Sequence, residues 1–161
     1  MKSLSKIAVL GAATVAVGLL YASPVQAHVE TEDLVNADAN KAEWLMYGRT
    51  YDNQRFSPLT EITPANVSEM TPVWAFSTGG KFAGLEGTPL FHDGVLYVSA
   101  DYARVFAIDA RTGMVKWKYV PEYEEGLDAV VCCGPSNRGL ALKGDFVFVE
   151  TLDARLVALN T

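Results

Sequence analysis

The only two cysteines of the chain are adjacent, at Cys132 and Cys133. Cα atoms joined by a trans peptide lie about 3.8 Å apart, which is below the roughly 4.4–6.8 Å that most disulfides span. A bond between the two sulfurs would therefore close a strained eight-membered ring. The alternative is a pair of reduced thiols, because free cysteine packs like a small apolar side chain. The residues alone leave both states open.

Two charged residues are further candidates for chemistry. Arg138 follows the cysteines closely, and its planar guanidinium can bind a carboxylate through two parallel hydrogen bonds. Glu86 precedes a glycine at the start of an apolar run. Each also has an ordinary explanation, Arg138 as an exposed arginine and Glu86 as a carboxylate in a turn. The only histidines, His28 and His92, are too few to indicate a histidine-rich metal site.

Residues 1–27 have the pattern of a secretory signal peptide. Lys2 and Lys6 form a positive amino-terminal region, an uncharged apolar run follows from Ile7 to Leu20, and the small residue Ala27 marks the expected cleavage point. The apolar run is short for a membrane span of about 20 residues, and no later segment of the sequence is apolar enough to cross a bilayer. Export would place both cysteines in an oxidising environment, where disulfides persist.

The predicted mature chain is acidic. Removing residues 1–27 takes away Lys2 and Lys6 but no acidic residue, so the formal net charge falls from −6 to −8. This balance disfavours nucleic acid as a partner, because binding to phosphates depends on basic residues. It suits either a basic protein partner or simple solubility. The sequence contains no P-loop, no GxGxxG and no CxxCH, so it supports neither a nucleotide cofactor nor a haem of its own.

The elements that must position these residues are predicted to be strands. A polar lead-in at 28–42 is expected to be a short helix or loop, with one helical turn after Thr63. Beyond it, short apolar runs alternate with Asp-Gly and Gly-Asp turns, which supply the positive φ that tight hairpins need. The predicted strands are Val73–Ser77, Thr88–Phe91, Val95–Ala100, Val105–Ile108, Val115–Tyr119, Leu140–Leu142, Phe146–Glu150 and Leu156–Leu159.

A repeat with a spacing of 51 residues indicates how the strands are arranged. Tyr102–Asp109 reads YARVFAID and Asp153–Asn160 reads DARLVALN, and each copy follows an apolar strand. Spacings of about 40–50 residues with four strands per unit are typical of β-propeller blades, and a tryptophan in each blade, such as Trp74 or Trp117, can join neighbouring blades. The alternative is two similar hairpins in a sandwich. Since propellers have roughly four to eight blades, this chain would supply about two.

Four segments of the chain form a specific set by their order and spacing. They are Glu43–Arg49 with Arg55–Leu59, Thr71–Gly79, Gly84–Leu90 with Asp93–Val98, and Cys132–Gly139. Together they resemble the amino-terminal part of the quinoprotein alcohol dehydrogenases, the periplasmic methanol and ethanol dehydrogenase family that uses pyrroloquinoline quinone (PQQ). The resemblance implies an all-β chain that is part of an eight-bladed β-propeller. We therefore divide the chain into a signal peptide (1–27), a lead-in segment (28–72) and the first propeller blades (73–161).

The resemblance also implies roles for four residues. Arg138 would bind a carboxylate of PQQ, and Glu86 would contact the cofactor and help to orient Arg138. Cys132 and Cys133 would form a vicinal disulfide that lies flat against one face of the PQQ ring system. In the family, the calcium ligands and the aspartate proposed as catalytic base come from later blades. We therefore expect no metal ligand and no catalytic residue within this chain.

The activity implied for a complete protein is oxidation of primary alcohols to aldehydes, with PQQ and Ca²⁺ as cofactors and a cytochrome c as electron acceptor. A homodimer is left open, and the sequence does not distinguish methanol from longer alcohols. The main alternative is a non-catalytic periplasmic β-propeller that acts as a scaffold or assembly module, because fold does not imply function. The paired cysteines, Glu86 and Arg138 favour the enzyme, since blade packing does not require them.

Overall fold

The computed structural model describes residues 28–80, 85–126 and 134–161, which form two antiparallel sheets and an amino-terminal segment with little regular structure. The predicted signal peptide at 1–27 lies outside the described residues. Within the described ranges, no helix has the length and apolar character that a membrane span requires. The short helical elements are α1 (Thr31–Val35) and 3₁₀ turns at Ala37–Ala39, Val67–Glu69 and Asp101–Ala103.

Sheet 1 has four strands and sheet 2 has three, and every neighbouring pair is antiparallel. Each of these strands was expected from the alternation of apolar runs and turns, with bounds that differ by at most two residues. Sheet 1 consists of β1 (Leu90–His92), β2 (Val95–Ser99), β3 (Val105–Asp109) and β4 (Val115–Tyr119). Sheet 2 consists of β5 (Ala141–Lys143), β6 (Phe146–Glu150) and β7 (Leu156–Asn160).

The 51-residue repeat corresponds to the β2–β3 hairpin of sheet 1 and the β6–β7 hairpin of sheet 2, with the same register in both. The loop that joins the two strands is also equivalent, since Ala103 and Ala154 have positive φ angles of 51° and 61°. The first and last pairs are Val95 with Asp109 and Ser99 with Val105 in β2–β3, and Phe146 with Asn160 and Glu150 with Leu156 in β6–β7. The repeat therefore describes one structural unit that occurs twice.

The segment Val73–Ser77, which the pattern predicts as a strand, is not one. A strand needs a backbone partner, and no described strand pairs with this segment. Its alternate side chains Trp74 and Phe76 instead pack on one face of sheet 1, against a cluster that includes Phe106 and Ile108. The alternation of apolar side chains in this segment thus correctly indicates which of them are partly buried. The prediction of a strand is wrong.

Trp74 docks on the turn between β3 and β4. Its indole Nε1 donates to the carbonyl oxygen of Ala110 at 3.0 Å. Its ring lies over Gly113, where a Cβ would come within 2.7 Å of the indole carbon Cδ2, and φ there is +74°. Glycine is required at this position both for the turn and for the ring that covers it.

The other face of sheet 1 packs against sheet 2 and forms the main core. Buried residues from both sheets meet there with two from the amino-terminal segment, Val29 and Leu45. Val29 is held by a two-way backbone pairing with Gly144, in which the N···O distances are 2.9 and 2.8 Å. Next to it, the imidazole of His28 contacts Asp145 at 2.6 Å and Glu30 at 2.8 Å. The hydrogen bond to Asp145, with a second one to Glu30, raises the pKa of His28.

Candidate functional site

Glu86 and Arg138, which the sequence predicts to share a site, lie side by side. The Glu86 Oε2 atom is 3.2 Å from the Arg138 Nε atom. The Ser136 hydroxyl donates to the other oxygen of the same carboxylate, Oε1, at 2.9 Å. The side chains of Arg138 and Glu86 are 74% and 44% exposed, and an exposed ion pair contributes little to stability, at most about 1 kcal/mol. The contribution of this ion pair to fold stability is therefore too small to explain why the two side chains are held together.

The end of Arg138 that faces away from Glu86 is open. Its Nε atom is engaged, while neither terminal nitrogen has an acceptor among the described residues. A guanidinium held in this way presents its planar pair of N–H groups to a ligand carboxylate, which is the geometry of a bidentate ion pair. The residues present thus fit a carboxylated ligand.

Two glycines allow Glu86 and Arg138 to approach each other. A Cβ on Gly87 would lie 2.4 Å from the Ser99 hydroxyl oxygen and 3.3 Å from the backbone of Gly139. Gly139 itself has a φ of +142°, which residues with a side chain rarely adopt. The backbones that follow Glu86 and Arg138 are therefore in close contact, and a side chain at Gly87 would separate them.

Asn137 connects the loop that carries Arg138 to sheet 2. Its amide nitrogen donates to the carbonyl oxygen of Glu150, the last residue of β6, at 3.0 Å. Its amide oxygen accepts from the backbone N–H of Gly139 at 3.0 Å. Asn137 is thereby tied to the end of β6 and Gly139 to Asn137, so both residues that flank Arg138 in the chain are held.

A cleft of about 360 Å³ opens beside this loop. Its size is at the lower end of what small-molecule sites occupy. Its wall combines apolar groups with a few polar ones, and among its lining residues are Tyr47, Thr88, Arg138, Phe148, Glu150 and Leu156. Arg138 is thus a charged donor at the edge of a partly apolar cleft whose lining also includes the acidic residue Glu150.

The sequence reasoning found some of these residues and missed others. Glu86 and Arg138 are brought together as expected, while Cys132 and Cys133 and their predicted disulfide lie outside the described residues. Ser136 and Asn137 were not assigned a role, because a single hydroxyl or amide carries no spacing signal. In the described part of the chain, no three His, Asp or Glu side chains are grouped to hold a metal ion.

The family model for the PQQ-containing glucose/ethanol/alcohol dehydrogenase β-propeller domain matches residues 44–161. The chain belongs to this family. Its all-β fold and its place within a β-propeller are therefore confirmed, and the two sheets with their 51-residue repeat are two blades of that propeller. The match begins within the predicted lead-in segment 28–72, whose boundary with the blades stays a prediction.

Named relatives agree with this assignment. The chain is 49% identical over 118 residues to a quinohemoprotein alcohol dehydrogenase, ADH IIB, of Pseudomonas putida, which covers 73% of this chain and 17% of the relative. It is 43% identical over 162 residues to a 1-butanol dehydrogenase (quinone) of Thauera butanivorans, covering 99% of this chain and 26% of the relative. The chain thus spans between about a sixth and a quarter of their lengths.

Solved structures show the same fold. A quinohemoprotein alcohol dehydrogenase, ADHIIG, of Pseudomonas putida HK5 aligns with a TM-score of 0.80 at 36% identity, over 86% of this chain and 20% of that protein. A europium-containing methanol dehydrogenase aligns with a TM-score of 0.73 at 36% identity, over 80% of this chain and 23% of that protein.

Proposed function

We propose that the complete protein that carries this sequence oxidises primary alcohols to aldehydes with PQQ, and that this chain contributes one wall of the PQQ site. The observation that carries the proposal is the open guanidinium of Arg138, held through Nε by Glu86 at 3.2 Å beside a partly apolar cleft. The family match and relatives named as quinone-dependent alcohol dehydrogenases support it.

In this proposal the described residues bind the cofactor and orient the side chain that holds it. Ser136 and Arg138 each contact one oxygen of the Glu86 carboxylate, so Glu86 directs the guanidinium and Arg138 binds a carboxylate of the cofactor. Cys132 and Cys133, joined as a vicinal disulfide, form a flat wall of the same site. When bound, PQQ supplies a two-electron acceptor for the alcohol.

Other parts of the proposal concern the whole protein. A metal ion, Ca²⁺ or a lanthanide, would supply Lewis-acid chemistry, and its ligands would come from outside the described residues. Electrons pass to a basic cytochrome c, which the net charge of −8 expected after signal removal would attract. The protein is periplasmic after cleavage near Ala27. One aligned structure is named for europium, which makes the choice of metal a direct experimental question.

Binding of PQQ to the metal-free complete protein tests the proposal most directly. We expect Arg138→Ala to weaken PQQ binding by about 10- to 100-fold, because a charge-assisted hydrogen bond contributes about 1.5–3 kcal/mol. Arg111→Ala is the matched control, since Arg111 is an exposed arginine in the β3–β4 turn. Equal PQQ affinity of the Arg138 variant and the unmodified protein would contradict the assignment.

Turnover then separates the enzyme from a non-catalytic scaffold. The PQQ-loaded protein is assayed by dye reduction with primary alcohols and with glucose, in parallel with Ca²⁺ and with a lanthanide. Turnover with alcohols is the expected result. Absence of PQQ binding together with absence of turnover would favour the scaffold, and turnover with glucose alone would assign a sugar-oxidising quinoprotein.

A further inference from the structure

The connection between β4 and β5 is hydrogen-bonded to a single residue, Tyr102, at both of its described limbs, residues 121–126 and 134–138. The backbone N–H of Tyr102 donates to the carbonyl oxygen of Pro135 at 2.8 Å. The carbonyl oxygen of Tyr102 accepts from the phenol of Tyr123 at 3.0 Å. Tyr102 lies in the loop between β2 and β3 with a φ of 55° and a ψ of 29°. Both limbs are therefore anchored to sheet 1 at the same residue.

The entry limb is also anchored to sheet 2. The backbone N–H of Leu152 lies 3.4 Å from the Tyr123 hydroxyl oxygen, and the Arg155 guanidinium donates to the carbonyl oxygen of Glu122 at 3.1 Å. Leu152 and Arg155 belong to the loop between β6 and β7. Burial raises the pKa of Tyr123 above that of a free tyrosine. Its hydroxyl therefore stays protonated and can donate a hydrogen bond at neutral pH. One phenol thus connects the equivalent loops of the two blades.

We propose that Tyr123 is a positioning residue for the quinone site. Its hydroxyl holds the carbonyl oxygen of Tyr102, and the backbone N–H of Tyr102 in turn holds Pro135 in the limb that carries Arg138. The inference rests on the proposed function, because the ligand that Arg138 receives is a carboxylate of PQQ. Pro135 is three residues before Arg138, so an anchored Pro135 restricts where Arg138 lies. Without the hydrogen bond to Pro135, the limb 134–138 would have to become ordered when the cofactor binds, and the entropic cost of that ordering would weaken binding.

Tyr123→Phe is the direct test in the complete protein, because it removes the hydroxyl and keeps the ring that packs 6.4 Å from the Tyr102 ring. We expect the dissociation constant for PQQ to rise about ten-fold, as expected when pre-organisation is lost. At saturating PQQ, kcat and KM for the alcohol should change less than two-fold. Tyr119→Phe, on the neighbouring strand β4, is the control and should bind PQQ as the unmodified protein does.

A double-mutant cycle with Arg138→Lys separates positioning from a general loss of stability. If Tyr123 acts through Arg138, the effects of Tyr123→Phe and Arg138→Lys on PQQ affinity will be less than additive. Additive effects, or an unchanged affinity of Tyr123→Phe, would overturn the inference. Arg155→Lys, which weakens the contact to Glu122, provides a second variant of the same limb if the Phe variant folds poorly.

Hydrogen exchange on the PQQ-free protein gives a readout that does not depend on the cofactor. The amide of Tyr102, which donates to Pro135, should exchange several-fold faster in Tyr123→Phe. Unchanged exchange would overturn the inference even if PQQ binds. Failure of the unmodified protein to bind PQQ would instead refute the proposed function, so the two failures are distinguishable.

Discussion

Strands β3 and β7 are equivalent copies of one repeat, yet they have different surroundings. Val105 in β3 is completely buried, whereas Leu156, the equivalent residue in β7, is 68% exposed. β3 pairs with β2 and β4, while β7 has β6 as its described neighbour. The register of the two hairpins is nevertheless the same. Local sequence therefore sets the register, and neighbouring elements decide which residues are buried.

The largest effect is expected at Trp74, which covers sheet 1 on the face away from sheet 2. Trp74→Ala should lower the free energy of unfolding by about 3 kcal/mol, because a large aromatic group leaves the β3–β4 turn. Trp74→Phe should cost about 1 kcal/mol, since it loses mainly the hydrogen bond to Ala110. Denaturant unfolding of the complete protein measures both. A loss below about 1 kcal/mol for the alanine variant would show that this face of sheet 1 depends little on Trp74.

A matched pair of substitutions measures how much the difference in burial between β3 and β7 matters for stability. Val105→Ala should lower the free energy of unfolding by about 2 kcal/mol, because it leaves a cavity in the core. Leu156→Ala should cost less than about 0.5 kcal/mol, although it removes more atoms, since its side chain is exposed. Equal losses would mean that another part of the complete protein covers β7.

The smallest effect concerns the last residue of each repeat copy, Asp109 in β3 and Asn160 in β7. The Asp109 carboxylate accepts hydrogen bonds from the hydroxyl and backbone N–H of Thr112 and from the N–H of Arg111. The bond from the Thr112 hydroxyl is the largest cause that lowers the pKa of Asp109. The ionised Asp109 carboxylate therefore stabilises the folded protein at any pH above the usual pKa of an aspartate. This stabilisation is lost as the pH falls through the lowered pKa of Asp109.

Asp109→Asn, which reproduces the residue found at 160, removes this ionisation. The variant should lose less stability than the unmodified protein when the pH falls below about 4. Nuclear magnetic resonance titration of the Asp109 carboxyl group gives the pKa directly. An unshifted pKa, or the same acid sensitivity in both proteins, would show that the turn does not depend on this charge.

Much of the fold follows from local patterns. Alternating apolar residues and Asp-Gly turns predict the hairpins because strand register and turn chemistry are set over a few residues. Val73–Ser77 shows the limit of this reasoning, since side-chain alternation does not reveal whether a backbone partner exists. The site is harder to predict. Ser136 and Glu86 are 50 positions apart, and no periodicity relates them, so only the family resemblance pointed to Glu86.

The pairing of Val29 with Gly144 has a consequence for the order of folding. The neighbouring contact, between His28 and Asp145, joins residues 117 positions apart, and closing so long a loop carries an entropic cost that must be met before the contact forms. Val29 is completely buried once paired. The segment around Val29 therefore has no partner to pair with until the β5–β6 hairpin has formed. Until then, the side chain of Val29 stays exposed to water.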